Sequence, residues 1–110
     1  MFPASFDYHR AESVEEAIEL LGRHAGAKLL AGGHSLLPMM KLRLAQPPAV
    51  IDVGRIRSLA GICRDGDVVA VGALTTHAEV AASGELADLC PLLAEAAGKI
   101  GDPAVRNKGT

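Results

Sequence analysis

The chain has 110 residues and a formal net charge of −2; 49% of its residues are hydrophobic and 22% are charged. This balance predicts one folded domain, or part of one, because disordered chains are poor in apolar residues. No apolar run approaches the roughly 20 residues that span a bilayer, so we expect no membrane insertion. The absence of a basic block argues against nucleic acid as a partner. The first residues lack the apolar stretch of a signal peptide, which predicts a cytoplasmic protein.

The opening segment holds all three aromatic residues of the chain, which are Phe2, Phe6 and Tyr8. We expect this segment to dock as a strand or arm, because large aromatic side chains bury well. A helix is predicted next. Ser13 and Glu16 have the spacing of a capping box, and apolar residues follow at helical intervals.

This first helix should end near residues 22–26, and two strands with a short helix between them should follow. The strands are expected at 28–31 and 49–53, and the helix from 36 to about 44. Strands and helices alternate in this way in small α/β units with parallel strands. The first half of the sequence therefore predicts such a unit.

The second half of the sequence predicts a hairpin followed by helices. Two apolar runs surround Asp65-Gly66 within residues 62–71, which is a strong signal for an antiparallel hairpin. A second capping box, formed by Thr76 and Glu79, predicts a short helix.

A longer helix is expected over about residues 87–100, with a broad apolar face in the core. That face contains Leu89, Leu92, Leu93, Ala96, Ala97 and Ile100. Residues 101–103 (Gly-Asp-Pro) should end this helix, and residues 105–110 are predicted to be a polar, irregular tail. We also expect a change of subdomain near residues 53–59, where the alternation of strands and helices gives way to the hairpin.

The spacing of the cysteines and histidines indicates neither an iron–sulfur cluster nor a metal site. Cys63 and Cys90 are too few for an iron–sulfur cluster, and we expect two buried, reduced thiols rather than a disulfide. The histidines lack ligand spacing, so no metal site is expected. They are His9, His24, His34 and His77. His24 is explained as a cation at the C-terminal end of the first helix.

The segment with most chemical information is residues 29–36, where a predicted buried strand leads into Gly32-Gly33 and a helix begins directly afterwards. Glycines permit positive φ and close approach of a ligand, and successive N–H groups before a helix bind phosphate or pyrophosphate. Ser35 could donate its hydroxyl to a phosphate oxygen. The alternative is an ordinary tight turn in which Ser35 caps the helix. The spacings of the Rossmann fingerprint and of the P-loop are both missing.

A second passage from strand to helix lies at residues 72–77. By its spacing Thr76 is a capping residue, and the alternative is that Thr75 or Thr76 faces a ligand. In the terminal loop Arg106, Lys108 and Gly109 could meet phosphate, although a solvated basic loop is the usual outcome.

Several long motifs follow one another in an order typical of one family. They are FDY at 6–8, AGGHSLLPMMKLR at 31–43, IDV at 51–53, GALTTH at 72–77, PLLAEAA at 91–97 and IGDPAVRNKGT at 100–110. Through these motifs the whole chain resembles the N-terminal half of the FAD-binding medium subunit of molybdenum hydroxylases. That group includes the carbon monoxide dehydrogenase medium subunit and the xanthine dehydrogenase FAD subunit. The resemblance implies an α+β fold, the two-subdomain FAD-binding domain of the molybdopterin dehydrogenase (PCMH-like) type.

The resemblance also implies how the chain divides and where FAD binds. Residues 1–55 would form a first α/β subdomain and residues 56–110 would begin a second, with the domain truncated after its first half. The residues implied to wrap the FAD pyrophosphate are Leu30, Ala31, Gly32, Gly33, His34, Ser35 and Leu36.

Further cofactor contacts are expected in the second subdomain, at Ile100 and Gly101. Thr75 and Thr76 would also contact the cofactor if they face a ligand. Family members have a second glycine loop, of T-I-G-G-N type, that closes over the cofactor. Thr110 would be its first residue.

The resemblance implies a flavoprotein subunit that passes electrons from 2Fe-2S clusters to an acceptor. A large partner subunit would carry the molybdenum cofactor and a small partner subunit the clusters, while this chain would hold only FAD. No acid or base of the chain would be catalytic, since the protein supplies binding and orientation. The 110 residues alone would be inactive. The alternative is a truncated, cofactor-free remnant that acts only through protein–protein contacts.

Overall fold

The computed structural model describes all residues, 1–110, and the chain divides into two compact units. Unit 1 comprises Met1–Ile56 and unit 2 comprises Arg57–Thr110. None of the helices combines the length and the apolar character that a membrane span requires.

Unit 1 is a small parallel α/β unit, as its sequence predicts. Its elements are β1 (Asp7–Arg10), α1 (Val14–Arg23), β2 (Lys28–Leu30), α2 (Leu36–Lys41) and β3 (Ala49–Asp52). The strands have the order β1-β3-β2, and both pairings are parallel. Of the aromatic opening segment, only the part from Asp7 onward becomes a strand, and Phe2 and Tyr8 are exposed rather than buried.

The central strand β3 carries the core of unit 1. Ala49, Val50 and Ile51 are each at most 2% exposed, as is typical of the central strand of a parallel sheet, whose faces are covered by helices. At the start of α1 the Ser13 side chain accepts a hydrogen bond from the Glu16 N–H at 3.1 Å, which confirms the predicted cap. At its end His24 occupies the C-cap position, as expected.

Unit 2 begins with a short 3₁₀ turn and the predicted hairpin. The elements are the turn Arg57–Leu59, β4 (Ile62–Asp65) and β5 (Val68–Val71). The two strands pair antiparallel, and Gly66 at their turn has φ of +62°, which glycine adopts without strain.

Four short helices complete unit 2; the first is the short helix predicted after Thr76, and the other three replace the single long helix and the irregular tail that the sequence predicts. They are α3 (His77–Ala82), α4 (Gly84–Leu89), α5 (Pro91–Gly98) and α6 (Pro103–Lys108). The helix expected over 87–100 is broken at Cys90, which has φ of −147° and ψ of 65°. The break has a steric cause, because the ring of a proline disfavours helical backbone in the residue before it. Pro91 then becomes the first residue of a new helix.

The predicted apolar face is wrong for most of its members. Leu92 is 77% exposed and Leu93 is 43% exposed, while Leu86, Ala94 and Ala97 are buried around Val80. Because the helix starts anew at Pro91, each residue after it lies on a different side of the helix from the one predicted. Alanines rather than leucines therefore face α3. Of the predicted face only Ala97 is buried, and Ile100 is half-buried.

Two smaller expectations also need correction. The tail predicted as irregular contains α6, because the Asp102 side chain accepts from the Val105 N–H at 2.9 Å and Pro103 fits the first helical position. Both cysteines are free, as expected, but Cys63 and Cys90 are exposed rather than buried.

The core of unit 2 can be tested by truncating one buried and one exposed leucine. Leu86→Ala should lower the free energy of unfolding by about 2–5 kcal/mol, because it leaves a cavity beside Val80 and Ala97. The matched control Leu92→Ala should change it by less than about 0.5 kcal/mol. Urea unfolding followed by circular dichroism measures both values, and equal losses would contradict this core.

Candidate functional site

The glycine segment predicted to bind phosphate lies at the carboxyl edge of the sheet in unit 1. It follows β2 directly, and the Leu30 carbonyl accepts a hydrogen bond from the Val53 N–H, just past β3, at 2.9 Å. Ligands of parallel α/β sheets bind beyond the carboxyl ends of the strands. The pairing of β2 with β3 therefore places residues 31–35 where such a ligand would be expected.

The backbone of this segment requires glycine at position 33. Gly33 has φ of +82°, and a Cβ there would lie 2.9 Å from Leu37 Cδ1. The turn is held because the Gly33 carbonyl accepts from the Leu37 N–H at 3.0 Å. A side chain at this position would be both strained and crowded.

The N–H groups of the segment are available to a ligand. Those of Gly32, Gly33, His34 and Ser35 donate to no backbone carbonyl. Ser35 precedes α2, but its side chain makes no capping hydrogen bond, so the capped-turn alternative is not what the structure shows. Successive unpaired N–H groups form a concave donor set that binds anions. His34 differs, since its Nδ1 lies 3.0 Å from the Gly32 carbonyl.

Thr75 and Thr76, in unit 2, both use their hydroxyls within the protein. Thr75 is 3% exposed, and its Oγ1 donates to the Gly61 carbonyl at 3.0 Å and accepts from the Gly61 N–H at 2.9 Å. Thr76 caps α3, as its spacing predicts, by accepting from the Glu79 N–H at 3.2 Å. A cofactor contact at either residue stays a prediction and would have to use another atom.

The remaining predicted site residues lie close to the two ends of α6. Arg106 Nη1 donates to the Ile100 carbonyl at 3.1 Å and to the Gly101 carbonyl at 3.2 Å, at one end of that helix. Thr110 is exposed and follows Gly109 at the other end. Cofactor contacts at Ile100, Gly101 and Thr110 also stay predictions. The sequence does not predict that Arg106 holds the backbone at residues 100 and 101, because its position in the sequence looks the same as that of a solvated basic residue.

The glycine of the GALTTH motif has a structural explanation. A Cβ on Gly72 would lie 2.2 Å from the Leu59 carbonyl oxygen, which is far inside contact distance. The Gly72 N–H donates to the Gly61 carbonyl at 2.8 Å. This glycine therefore serves the close approach of two backbone segments.

A tyrosine–aspartate pair near the carboxyl edge of unit 1 escaped the sequence analysis. The Tyr8 hydroxyl donates to Asp52 Oδ2, while Asp52 Oδ1 accepts from the Gly54 N–H at 2.8 Å. The hydrogen bond to the Asp52 carboxylate raises the pKa of Tyr8 above its ordinary value, and desolvation adds to the effect. Arg10 and Arg55 oppose this rise.

Two of the four histidines form a packing contact. The rings of His9 and His24 stack with their centroids 4.2 Å apart, and His9 Nε2 is buried without a hydrogen-bond partner. No group of three or more His, Cys, Asp or Glu side chains is arranged to hold a metal ion.

Comparison with known proteins gives one consistent family. Residues 4–110 match the FAD binding domain in molybdopterin dehydrogenase. The carbon monoxide dehydrogenase medium chain of Hydrogenophaga pseudoflava is 54% identical over 111 residues, covering 100% of this chain and 39% of the relative. Subunit alpha of the 6-hydroxypseudooxynicotine dehydrogenase complex of Paenarthrobacter nicotinovorans is 42% identical over 111 residues. This match covers 100% of this chain and 38% of the relative.

Solved structures agree with this result. Carbon monoxide dehydrogenase from Hydrogenophaga pseudoflava, in a form that lacks the Mo-pyranopterin moiety of its cofactor, has a TM-score of 0.95 at 54% identity. Quinoline 2-oxidoreductase from Pseudomonas putida 86 has a TM-score of 0.94 at 32% identity. Each match covers 100% of the chain and 39% of the solved one. The predicted fold class is thereby confirmed, and the chain spans 39% of the length of these relatives.

Tyr8 offers a direct test of the geometry at the carboxyl edge, because the chain has one tyrosine and no tryptophan. Asp52→Asn should lower the pKa of Tyr8 toward 10.0, its ordinary value, since the charged acceptor is lost. The control Asp7→Asn, on the same strand as Tyr8, should leave it unchanged. Titration of the tyrosinate absorbance in the ultraviolet measures the pKa in each variant.

The direction of the shift fixes how the pair affects stability. The folded protein holds the Tyr8 proton more tightly than the unfolded chain, which releases it near pH 10. The stabilisation from the pair is therefore complete below that pH and is lost as the pH rises through the higher pKa of the folded state. An unshifted pKa in the unsubstituted chain would contradict the Tyr8–Asp52 hydrogen bond.

Proposed function

Because the chain belongs to the family of FAD-binding domains of molybdopterin dehydrogenases, we propose that residues 31–35 hold the pyrophosphate of FAD. The observation that carries this proposal is the set of four consecutive N–H groups, from Gly32 to Ser35, that have no backbone acceptor. A pyrophosphate presents several negatively charged oxygens, which accept such donors in short, charge-assisted hydrogen bonds.

The shape of the segment supports the same ligand. Gly32 and Gly33 have no side chains, so a phosphate can approach the backbone closely. The segment is half-buried to exposed, which leaves one side open to a ligand. The bond from Val53 to the Leu30 carbonyl fixes the origin of the segment, and a donor set held in place before binding loses little entropy when the ligand arrives.

For the whole protein we propose an electron-transfer subunit of a molybdenum hydroxylase. FAD, when bound, supplies one- and two-electron redox chemistry. The residues of this chain bind and orient the cofactor, and no side chain of the segment needs to gain or lose a proton. A large molybdopterin subunit and a small 2Fe-2S subunit are the partners proposed, since relatives are named as medium chains and as parts of dehydrogenase complexes.

The alternative of a cofactor-free remnant is less well supported. A segment released from cofactor binding would have no reason to retain a glycine at positive φ and four unpaired donors in one turn. Gly33 at φ +82° against Leu37 is the feature that this alternative leaves unexplained.

The proposal predicts that Gly33→Asp abolishes FAD binding. The new side chain would crowd Leu37, would occupy a backbone conformation that favours glycine, and would add a negative charge within the donor segment. The matched control is Gly66→Asp, because Gly66 also has positive φ, of +62°, but sits in the hairpin turn with nothing within 4 Å. The FAD content of each purified full-length subunit is measured from its flavin absorbance. Stoichiometric FAD in a folded Gly33→Asp subunit would overturn the proposal.

Residues 1–110 by themselves should bind FAD weakly. They hold one donor segment, and losing three or four charge-assisted hydrogen bonds from a second loop would remove on the order of 5–10 kcal/mol. That difference converts a sub-micromolar site into a millimolar one. Titration of the isolated residues with FAD, followed by flavin fluorescence, tests this. A dissociation constant at or below about 1 μM would show that the first segment is sufficient.

A further inference from the structure

Asp52, the last residue of β3, has both of its side-chain oxygens engaged within unit 1. Oδ1 accepts from the Gly54 N–H at 2.8 Å, and Oδ2 accepts from the Tyr8 hydroxyl. An aspartate that bonds the backbone N–H two residues further on forms an Asx turn, which directs the chain as it leaves the strand. Because Tyr8 holds the other oxygen, the carboxylate is fixed in one orientation.

The turn formed by residues 52–54 is closely fitted. A Cβ on Gly54 would lie 3.0 Å from Asp52 Oδ1, so a side chain at this position would press on the carboxylate. The Asp52 carbonyl also accepts from the Ala11 N–H, just past β1, at 3.0 Å. Asp52 therefore ties the end of β3 to the end of β1 by its backbone and to the turn by its side chain.

The same turn holds the start of the glycine segment. Val53 lies within the turn, and its N–H donates to the Leu30 carbonyl at 2.9 Å. Leu30 is the last residue of β2 and directly precedes residues 31–35. Since the peptide group that joins Asp52 to Val53 is planar, fixing the turn also fixes the direction of this N–H. A continuous series of bonds thus connects the carboxylate to the point from which the donor segment departs.

We propose that Tyr8 and Asp52 are positioning residues for FAD binding: their side chains hold the turn at 52–54, and through the bond from Val53 to Leu30 they aim the N–H groups of residues 32–35 at the pyrophosphate. This inference rests on the proposed FAD-binding function and deepens it. Neither side chain needs to touch the cofactor. Hydrogen bonds weaken steeply when they are misaligned, so a small rotation of the donor segment lowers the affinity.

The charge of Asp52 makes a positioning role distinguishable from a purely electrostatic one. A carboxylate at the carboxyl end of β3 repels an anionic ligand beyond that edge. Removing this charge without a change of geometry would therefore strengthen FAD binding. Removing a side chain that positions the donor segment weakens FAD binding instead, so the two roles predict effects of opposite sign.

The test titrates the FAD-free, full-length subunit with FAD and follows flavin fluorescence. Asp52→Ala should raise the dissociation constant by about tenfold, because it removes both acceptors and misaligns at least one charge-assisted bond of the donor segment. Asp52→Asn should stay within about threefold of the unsubstituted subunit, since asparagine also forms Asx turns. The control Asp7→Asn, at the other end of β1, should bind normally. Binding by Asp52→Ala that is unchanged or tighter would overturn the inference.

A second readout separates positioning from general destabilisation. In the FAD-free subunit labelled with ¹⁵N-glycine, the amide resonances of Gly32 and Gly33 should shift in Asp52→Ala and keep their positions in Asp52→Asn. Leu86→Ala, which truncates the core of unit 2, is the control for lost stability. It should lower the melting temperature without moving these two resonances. Resonances that stay in place in Asp52→Ala would contradict the proposed positioning.

Two further variants keep the test decisive if Asp52→Ala does not fold. Gly54→Ala presses on Oδ1, and Tyr8→Phe removes only the hydroxyl that holds Oδ2. Each should raise the FAD dissociation constant by at least about threefold, while Gly22→Ala, at a glycine with nothing within 4 Å, should bind normally. An unchanged constant in either folded variant refutes the inference. An unsubstituted subunit that binds no FAD would instead refute the proposed function, so the two failures are distinguishable.

Discussion

Both strand pairings in the sheet of unit 1 involve β3. β1 and β2 do not pair with each other, and each is held in register only by its bonds to this central strand. Ile51, at its middle, is fully buried, so the sheet and the core share one element. The pairing of Leu30 with Asp52 is the last of β2, and the glycine segment proposed to bind phosphate begins directly after it. The position of the candidate site therefore depends on the register between β2 and β3.

Close backbone approach is the second constraint, and it recurs at three glycines. Gly33 turns against Leu37, Gly72 passes the Leu59 carbonyl, and Gly109 packs on the His77 ring. Of these three, Gly33 alone has positive φ. The same residue type thus meets two different requirements, one of conformation and one of volume. Solved relatives whose names give different substrates match this chain at TM-scores of 0.94 to 0.95, so the fold of these residues does not change with the substrate of the named enzyme.

Local signals were sufficient to predict much of the fold. The caps at Ser13 and Thr76 and the hairpin at Asp65-Gly66 depend on contacts within a few residues, so their spacing identifies them. Pro91 shows the limit of this approach, because a proline can either stop a helix or begin the next one. Once the phase is reset there, apolarity alone does not say which side chains face the core, since apolar residues are common on protein surfaces.

Other features depended on long-range placement. Tyr8 and Asp52 meet because β1 and β3 pair in a particular parallel register across 44 residues, which no local pattern specifies. The phosphate-binding role of residues 31–35 stays a prediction, which was made from glycines that are visible in the sequence. That Ser35 would leave its capping role unused was not predictable, since it follows from how β2 delivers the chain to α2.

A donor set made of main-chain groups has a consequence for how this site responds to its surroundings. Amide N–H groups carry no ionisable proton in the physiological range, so the affinity they provide does not change with pH through their own titration. They also offer nothing that oxidation or acylation of a side chain could remove. The site is therefore insensitive to the chemical conditions that would alter a lysine- or cysteine-based one, and it is vulnerable chiefly to added volume, in the form of any side chain at position 33.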